Sequence, residues 1–119
     1  MSIFEPLEQQ VVNFRDARNW KPFHGAKDLI LGLLVELGEL AEHFQYLKGT
    51  ELKKYQKDFK EEIADEMADV LFWLVLMSAD LKIDLEQAFK RKMAKNAQKY
   101  PPGKHGKLYN RWQAKKAGR

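Results

Sequence analysis

The chain contains no cysteine, which removes disulfides, thiolate metal sites and a cysteine nucleophile from consideration and favours a cytoplasmic setting. Long hydrophobic runs are missing as well. The longest unbroken one, Val70 to Met77, falls far short of the roughly 20 residues needed to cross a bilayer. The opening residues Met1-Ser2-Ile3-Phe4-Glu5-Pro6 lack the basic stretch and apolar core of a secretory signal, so a soluble protein with no membrane role is expected. No segment alternates apolar and polar residues with period two, so strands are not expected. Nor is there a glycine-rich phosphate loop, a Gly-x-Ser-x-Gly elbow or a recognisable Ser/His/Asp grouping. Whatever chemistry occurs must therefore run through a metal ion and water.

Acidic residues are absent from the end of the chain. All 17 lie at or before Glu86, whereas 11 of the 21 Lys and Arg residues follow it, so the net charge of +4 hides a basic end and an acidic body. A basic segment beside an acidic metal site could draw in a polyanion that also binds the metal. Without such a site, the same segment is simply a solvated helix face and a loose terminus.

What the sequence does have is helical periodicity throughout. A first helix is expected from about Pro6 to Arg18, with Leu7, Val11, Phe14 and Arg18 on one side. The aromatic segment Asn19 to Gly25 breaks the period. A second helix runs from about Lys27 to Tyr46 and ends at Gly49. A charged helical stretch, Glu51 to Lys60, leads into a third long helix reaching about Leu81. The second half of that helix is apolar nearly all round, so it must be buried on more than one side. Asp84 with Gln87 suits the start of a fourth helix, Leu85 to about Tyr100, which Pro101-Pro102-Gly103 stops. Residues 101–119 read as a basic, flexible or extended tail. The expected fold is all-α, a single domain over residues 1–119 built as an antiparallel four-helix-bundle-like protomer. At this size a self-contained cleft is hard to build, so oligomerisation is expected too.

Two acidic pairs stand out, Glu36 with Glu39 and Glu66 with Asp69, because each lies in strongly apolar sequence. Residues three apart share one face of a helix, so each pair can direct two carboxylates at one spot. Two such helices packed together would form a four-carboxylate cage. Carboxylates held that close raise one another's pKa and stay ionised together only with a cation among them. Mg²⁺, a hard ion that prefers oxygen ligands, is the simplest choice, with Mn²⁺ the alternative. A single pair would read as a solvent stripe, and the second pair shifts the balance to metal ligation. Glu62 and Glu42 could extend the cage or orient its waters. His43 follows Glu39 by four residues, not by the three of di-iron bundles, and reads as a surface or interface residue.

Arg18-Asn19-Trp20, Phe23-His24, the run Glu36 to Glu42 followed by Phe44-Gln45, the run Glu66 to Leu71, and Lys92-Met93 with Asn96 and Tyr100-Pro101 fall in one register from about residue 15 to 101. In these elements the sequence resembles the MazG-like all-α nucleoside triphosphate pyrophosphohydrolases, and most closely their dCTP pyrophosphatase branch. The resemblance implies cleavage of a nucleoside triphosphate to the monophosphate and pyrophosphate, with Mg²⁺ held by Glu36, Glu39, Glu66 and Asp69. It implies a homodimer or homotetramer, and a nucleotide surrounded by His24, Tyr46, Trp73, Lys92, Asn96 and Tyr100. Lys92 and Lys95 are candidates for the outer phosphates. Tyr46 stands where the branch has tryptophan, Trp73 where it has tyrosine, and Asp28 where it often has asparagine. Val35 occupies a position that is acidic in many members. A rival function is a non-catalytic helical module that binds nucleic acid through the basic C-terminal region, but it gives no reason for four carboxylates in apolar surroundings.

Overall fold

The computed structural model describes residues 2–103 and 107–118, and it is helical with no strand among them. Its contacts divide the chain into two units, the first ending at Asp84 and the second starting at Leu85. The first unit contains α1 (Phe4–Ala17), a single 3₁₀ turn (Lys21–Phe23), α2 (Ala26–Glu42), α3 (Gly49–Asp58) and α4 (Lys60–Asp80).

Helix α1 starts two residues before Pro6 because the Ser2 hydroxyl accepts the otherwise free N–H groups of Phe4 and Glu5, at 3.1 and 3.2 Å. Its inward side differs from the expected one. Val11 and Arg15 are buried, whereas Phe14 is 43% exposed and the Arg18 guanidinium lies 3.5 Å above the Phe14 ring. The core face passes through Phe4, Leu7, Val11 and Arg15. Arg15 can occupy it because its Nη1 donates to both carboxylate oxygens of Asp80 on α4, each at 2.7 Å, while its Nε donates to Asp16 at 3.1 Å.

Helix α2 is preceded by Gly25 in extended conformation, whose N–H donates to Asp28 Oδ2 at 3.0 Å. That carboxylate also complements the positive end of the helix dipole. The helix stops at Glu42, and 43–46 form a turn. Gly49, expected to terminate α2, instead opens α3 with φ of +63°, a left-handed conformation that glycine adopts without strain.

Helices α2 and α4 run antiparallel. Gly32 faces Trp73 and Glu39 clusters with Glu66, so positions rise along one helix as they fall along the other. A Cβ at Gly32 would come within 2.8 Å of the Trp73 ring, so the small residue is what lets the indole lie across α2. The buried apolar core is small, comprising Val11, Leu29, Val75 and Leu76 among the described residues, with Phe4, Leu7, Phe72, Trp73 and Met77 packed around it. Much of the apolar surface of α2 and α4 remains exposed, including Leu34 at 57% and Val35 at 59%.

The second unit contains α5 (Leu85–Lys99) and α6 (Lys107–Ala117). The helical α6 corrects the expected extended tail. None of its eleven residues is Gly or Pro, all are ordinary or good helix formers, and Gly118 lies just beyond its end. Residues 104–106 and 119 of that expected tail lie outside the described residues. Among the described residues, no helix is long and apolar enough to cross a membrane.

Candidate functional site

Spacing of three on α2 and on α4 sends the two acidic pairs toward the seam between these helices. Glu36, Glu39 and Glu66 each bring a carboxylate oxygen within 4.8 Å of the others. Asp69, one turn beyond Glu66, stands outside that tight group but raises the pKa of both Glu36 and Glu66 by its charge, and it lines a cavity together with Glu36. The expected four-carboxylate cage is therefore a group of three with a fourth at its edge. Glu62 and Glu42 are exposed and outside the group.

The electrostatics are unfavourable by construction. Glu36 is held above the usual carboxylate range first by burial, then by the hydrogen bond and charge of Glu39 and the charge of Asp69, with the Trp73 indole acting in the opposite direction. Glu66 is raised by burial, then by the charge and hydrogen bond of Glu39 and the charge of Asp69, and is lowered by His43. Glu36 Oε2 and Glu66 Oε2 are buried without a hydrogen-bond partner. Unpaired buried carboxylate oxygens carry a desolvation cost that a cation would offset. An all-carboxylate donor set with unpaired oxygens fits a hard divalent ion such as Mg²⁺ or Mn²⁺.

Beside this group lies a cavity of about 570 Å³ whose walls include Phe14, Trp20, Phe72 and Trp73, with Glu36 and Asp69 on its acidic side and Gln10 as its neutral polar residue. The rings form a continuous aromatic wall. Phe14 meets Trp20 and Phe72 edge-on at 5.7 Å, and Phe72 meets Trp73 edge-on at the same separation. His24 lies 5.3 Å from the Trp73 ring and 6.0 Å from Trp20, and its Nδ1 is buried without a partner.

His24 and Trp73 are thus brought together near the carboxylates. Tyr46 is not: it sits in the turn after α2, 86% exposed, and has no described ring contact. Lys92, Lys95, Asn96 and Tyr100 belong to the second unit, where Lys92, Lys95 and Tyr100 are exposed, Asn96 is half-buried, and the Asn96 carbonyl accepts the Tyr100 N–H at 2.8 Å. Three features escaped the sequence reading. Trp20 and Gln10 line the cavity. His43, assigned to the surface or an interface, is half-buried, with its Nδ1 2.7 Å from the Tyr55 hydroxyl. Gln10 is three residues from Leu7 and four from Phe14, so it borders the α1 face expected from the sequence and is findable there. No local signal announced the His43–Tyr55 contact.

Known proteins share sequence and fold with this chain. A sequence model of the MazG-like family matches residues 33–114. Mouse dCTP pyrophosphatase 1 is 39% identical over 99 residues, covering 82% of this chain and 58% of that protein. Human dCTP pyrophosphatase 1 is 35% identical over the same length and with the same coverage. The chain thus spans well under two thirds of the length of these curated relatives. A pyrophosphatase from Archaeoglobus fulgidus DSM 4304, known from its crystal structure, is similar with a TM-score of 0.78 and 34% identity, covering 85% of this chain and 94% of that one. With a family match over most of its length and an all-helical fold shared with this pyrophosphatase, the chain belongs to the MazG-like family.

Proposed function

We propose that the protein is a nucleoside triphosphate pyrophosphohydrolase that cleaves deoxynucleoside triphosphates, dCTP or a close relative, to the monophosphate and pyrophosphate with Mg²⁺. The observation that carries this reading is the juxtaposition of Glu36, Glu39 and Glu66, two of them with unpaired buried oxygens, and an aromatic-walled cavity large enough for a nucleoside. The mouse and human relatives are both dCTP pyrophosphatases.

In this reading Glu36, Glu39, Glu66 and Asp69 hold the cation. A bound divalent ion supplies Lewis-acid stabilisation of phosphate charge and makes water more acidic. The chain does the rest. Trp20 and Trp73 offer flat apolar faces to the base, and His24 offers a ring nitrogen to the nucleotide. The Trp73 indole N–H acts toward the ionised form of Glu36, against the burial and neighbouring carboxylates that raise its pKa. On the sequence resemblance, Lys92 and Lys95 are assigned to the outer phosphates, and Tyr46, Asn96 and Tyr100 to the rest of the nucleotide. Exposed apolar side chains on α2 and α4 support assembly as a homodimer or homotetramer, which would bury them.

The test is product analysis. The protein is incubated with each common dNTP and NTP, with Mg²⁺ or with chelator, and products are resolved by anion exchange. Metal-dependent monophosphate and pyrophosphate, strongest with dCTP or another deoxynucleotide, is the expected result. Diphosphate with orthophosphate would overturn the bond assignment, and no turnover with any nucleotide would overturn the activity.

A further inference from the structure

The two helices that carry the carboxylates are joined by more than their shared seam. His43 sits immediately after the last residue of α2, one turn beyond Glu39 and on the same side of the helix. Its Nδ1 lies 2.7 Å from the hydroxyl of Tyr55 on α3, and both side chains are half-buried. The Tyr55 ring in turn stacks on Phe59, with centroids 4.4 Å apart and planes 22° from parallel. Phe59 precedes α4, where its carbonyl accepts the N–H of Ile63 at 3.0 Å. A short chain of directed contacts therefore runs from the end of α2 to the start of α4. Glu39 lies one turn from its first member, and Glu66 lies about two turns from its last.

Phe59 interrupts the helix between α3 and α4, with φ of −112° and ψ of 28°. The break keeps its local backbone bonds, from the Phe59 N–H to the Tyr55 carbonyl at 2.9 Å and from the Ile63 N–H to the Phe59 carbonyl at 3.0 Å, so the position of α3 is passed on to the start of α4. The His43–Tyr55 hydrogen bond is the directed link from the end of α2 to α3, and the Tyr55–Phe59 stack carries it on to the start of α4. The imidazole is also near enough to favour the ionised form of Glu66.

We propose that the His43–Tyr55 hydrogen bond is a clasp that fixes the separation of α2 and α4 at their cage end, making His43 and Tyr55 positioning residues that set how tightly Glu39 and Glu66 hold a divalent cation. The inference rests on the reading of the carboxylate group as a cation site. It differs from a general role in stability because an outer residue of this kind acts on the geometry of the ligands. Loss of such partners in metal sites lowers metal affinity by about 10- to 100-fold.

The experiment is a double-mutant cycle on Mg²⁺ binding to the whole chain without nucleotide, measured by calorimetry. Tyr55→Phe deletes only the hydroxyl and keeps the stack on Phe59, while His43→Leu deletes the other end of the bond. Each is expected to weaken Mg²⁺ binding about tenfold, and the double variant to be no weaker than either alone, since all three lack the same bond. With nucleotide and saturating Mg²⁺, kcat is expected to stay within about twofold of wild type. Binding within about twofold of wild type in both single variants, or additive losses in the double variant, would overturn the clasp while leaving the cation site standing. Absence of Mg²⁺ binding in the wild-type protein would overturn the site itself and the clasp with it.

Discussion

Two clusters of charge lie half inside the first unit, and they are built on opposite terms. On one side Arg15, 2% exposed, meets Asp80 through two 2.7 Å contacts and Asp16 through a third. Burial works against the guanidinium charge, but the hydrogen bonds of Asp80 and Asp16 outweigh it and raise its pKa. On the other side three carboxylates crowd together with two oxygens unpaired and two pKa values raised. The first cluster is complete, and it ties α1 to α4. The second is incomplete in charge and in hydrogen bonds, and so it is costly to the fold alone. A protein retains such a group where a ligand completes it, which is the usual relation between strained polar sites and function.

The contrast can be broken most forcefully at the carboxylates. Replacing Glu39 by Gln or Asp69 by Asn should lower turnover by about two to three orders of magnitude, comparable to losing one preorganised electrostatic partner. The folded fraction should not fall, and steady-state kinetics paired with circular dichroism would separate the two. The same kind of change in the other cluster should do the reverse. Arg15→Met leaves Asp80 and Asp16 without their partner and should cost about 3 kcal/mol in a urea titration, as expected for breaking a buried pair from one side.

A smaller effect is expected where the carboxylate helices touch. Gly32→Ala places a methyl against the Trp73 ring, which must move, so a loss of about 2 kcal/mol and a higher KM for nucleotide are expected. The smallest effect is the pH dependence of the metal-free protein. Glu36 and Glu66 have folded pKa values above their unfolded ones, so the folded state binds more protons. Their contribution to stability is full below the ordinary carboxylate pKa of about 4.3 and is lost as pH rises through the raised values. Glu39→Gln removes the charge that helps raise both, so without metal it should be more stable than wild type at neutral pH. That gap should close as pH falls to about 4, read as the difference in urea midpoints.

The helical class and the pairing of acids were legible because both follow from spacing. A separation of three places Glu36 beside Glu39 on one face whatever the tertiary context, and long apolar periodicity announces α2 and α4. What spacing could not supply was the identity of partners. Arg15 looks like a surface residue until Asp80, 65 positions later, is seen to neutralise it, and so the inner face of α1 was drawn through Phe14 and Arg18 instead. Gly49 reads as the end of α2, yet glycine serves helix starts and stops alike, and here it opens α3. The expected extended tail weighed charge and scattered glycines over the helix-forming residues between Lys107 and Ala117. Tyr46 is named from resemblance alone, since its spacing from the acidic pairs does not say where the turn after α2 puts its ring.

The most direct test of the central claim is the thermal midpoint of wild-type protein and of Glu39→Gln as Mg²⁺ is raised from chelated levels to saturation. A cation that binds only the folded state stabilises it by about 2.7 kcal/mol at a hundredfold excess over Kd. Wild type should therefore start at or below the variant and rise with Mg²⁺, while the variant responds weakly or not at all. A wild-type midpoint indifferent to both Mg²⁺ and Mn²⁺, together with a metal-free variant less stable than wild type, would contradict the account, because the carboxylate group would then be part of the fold's own stability.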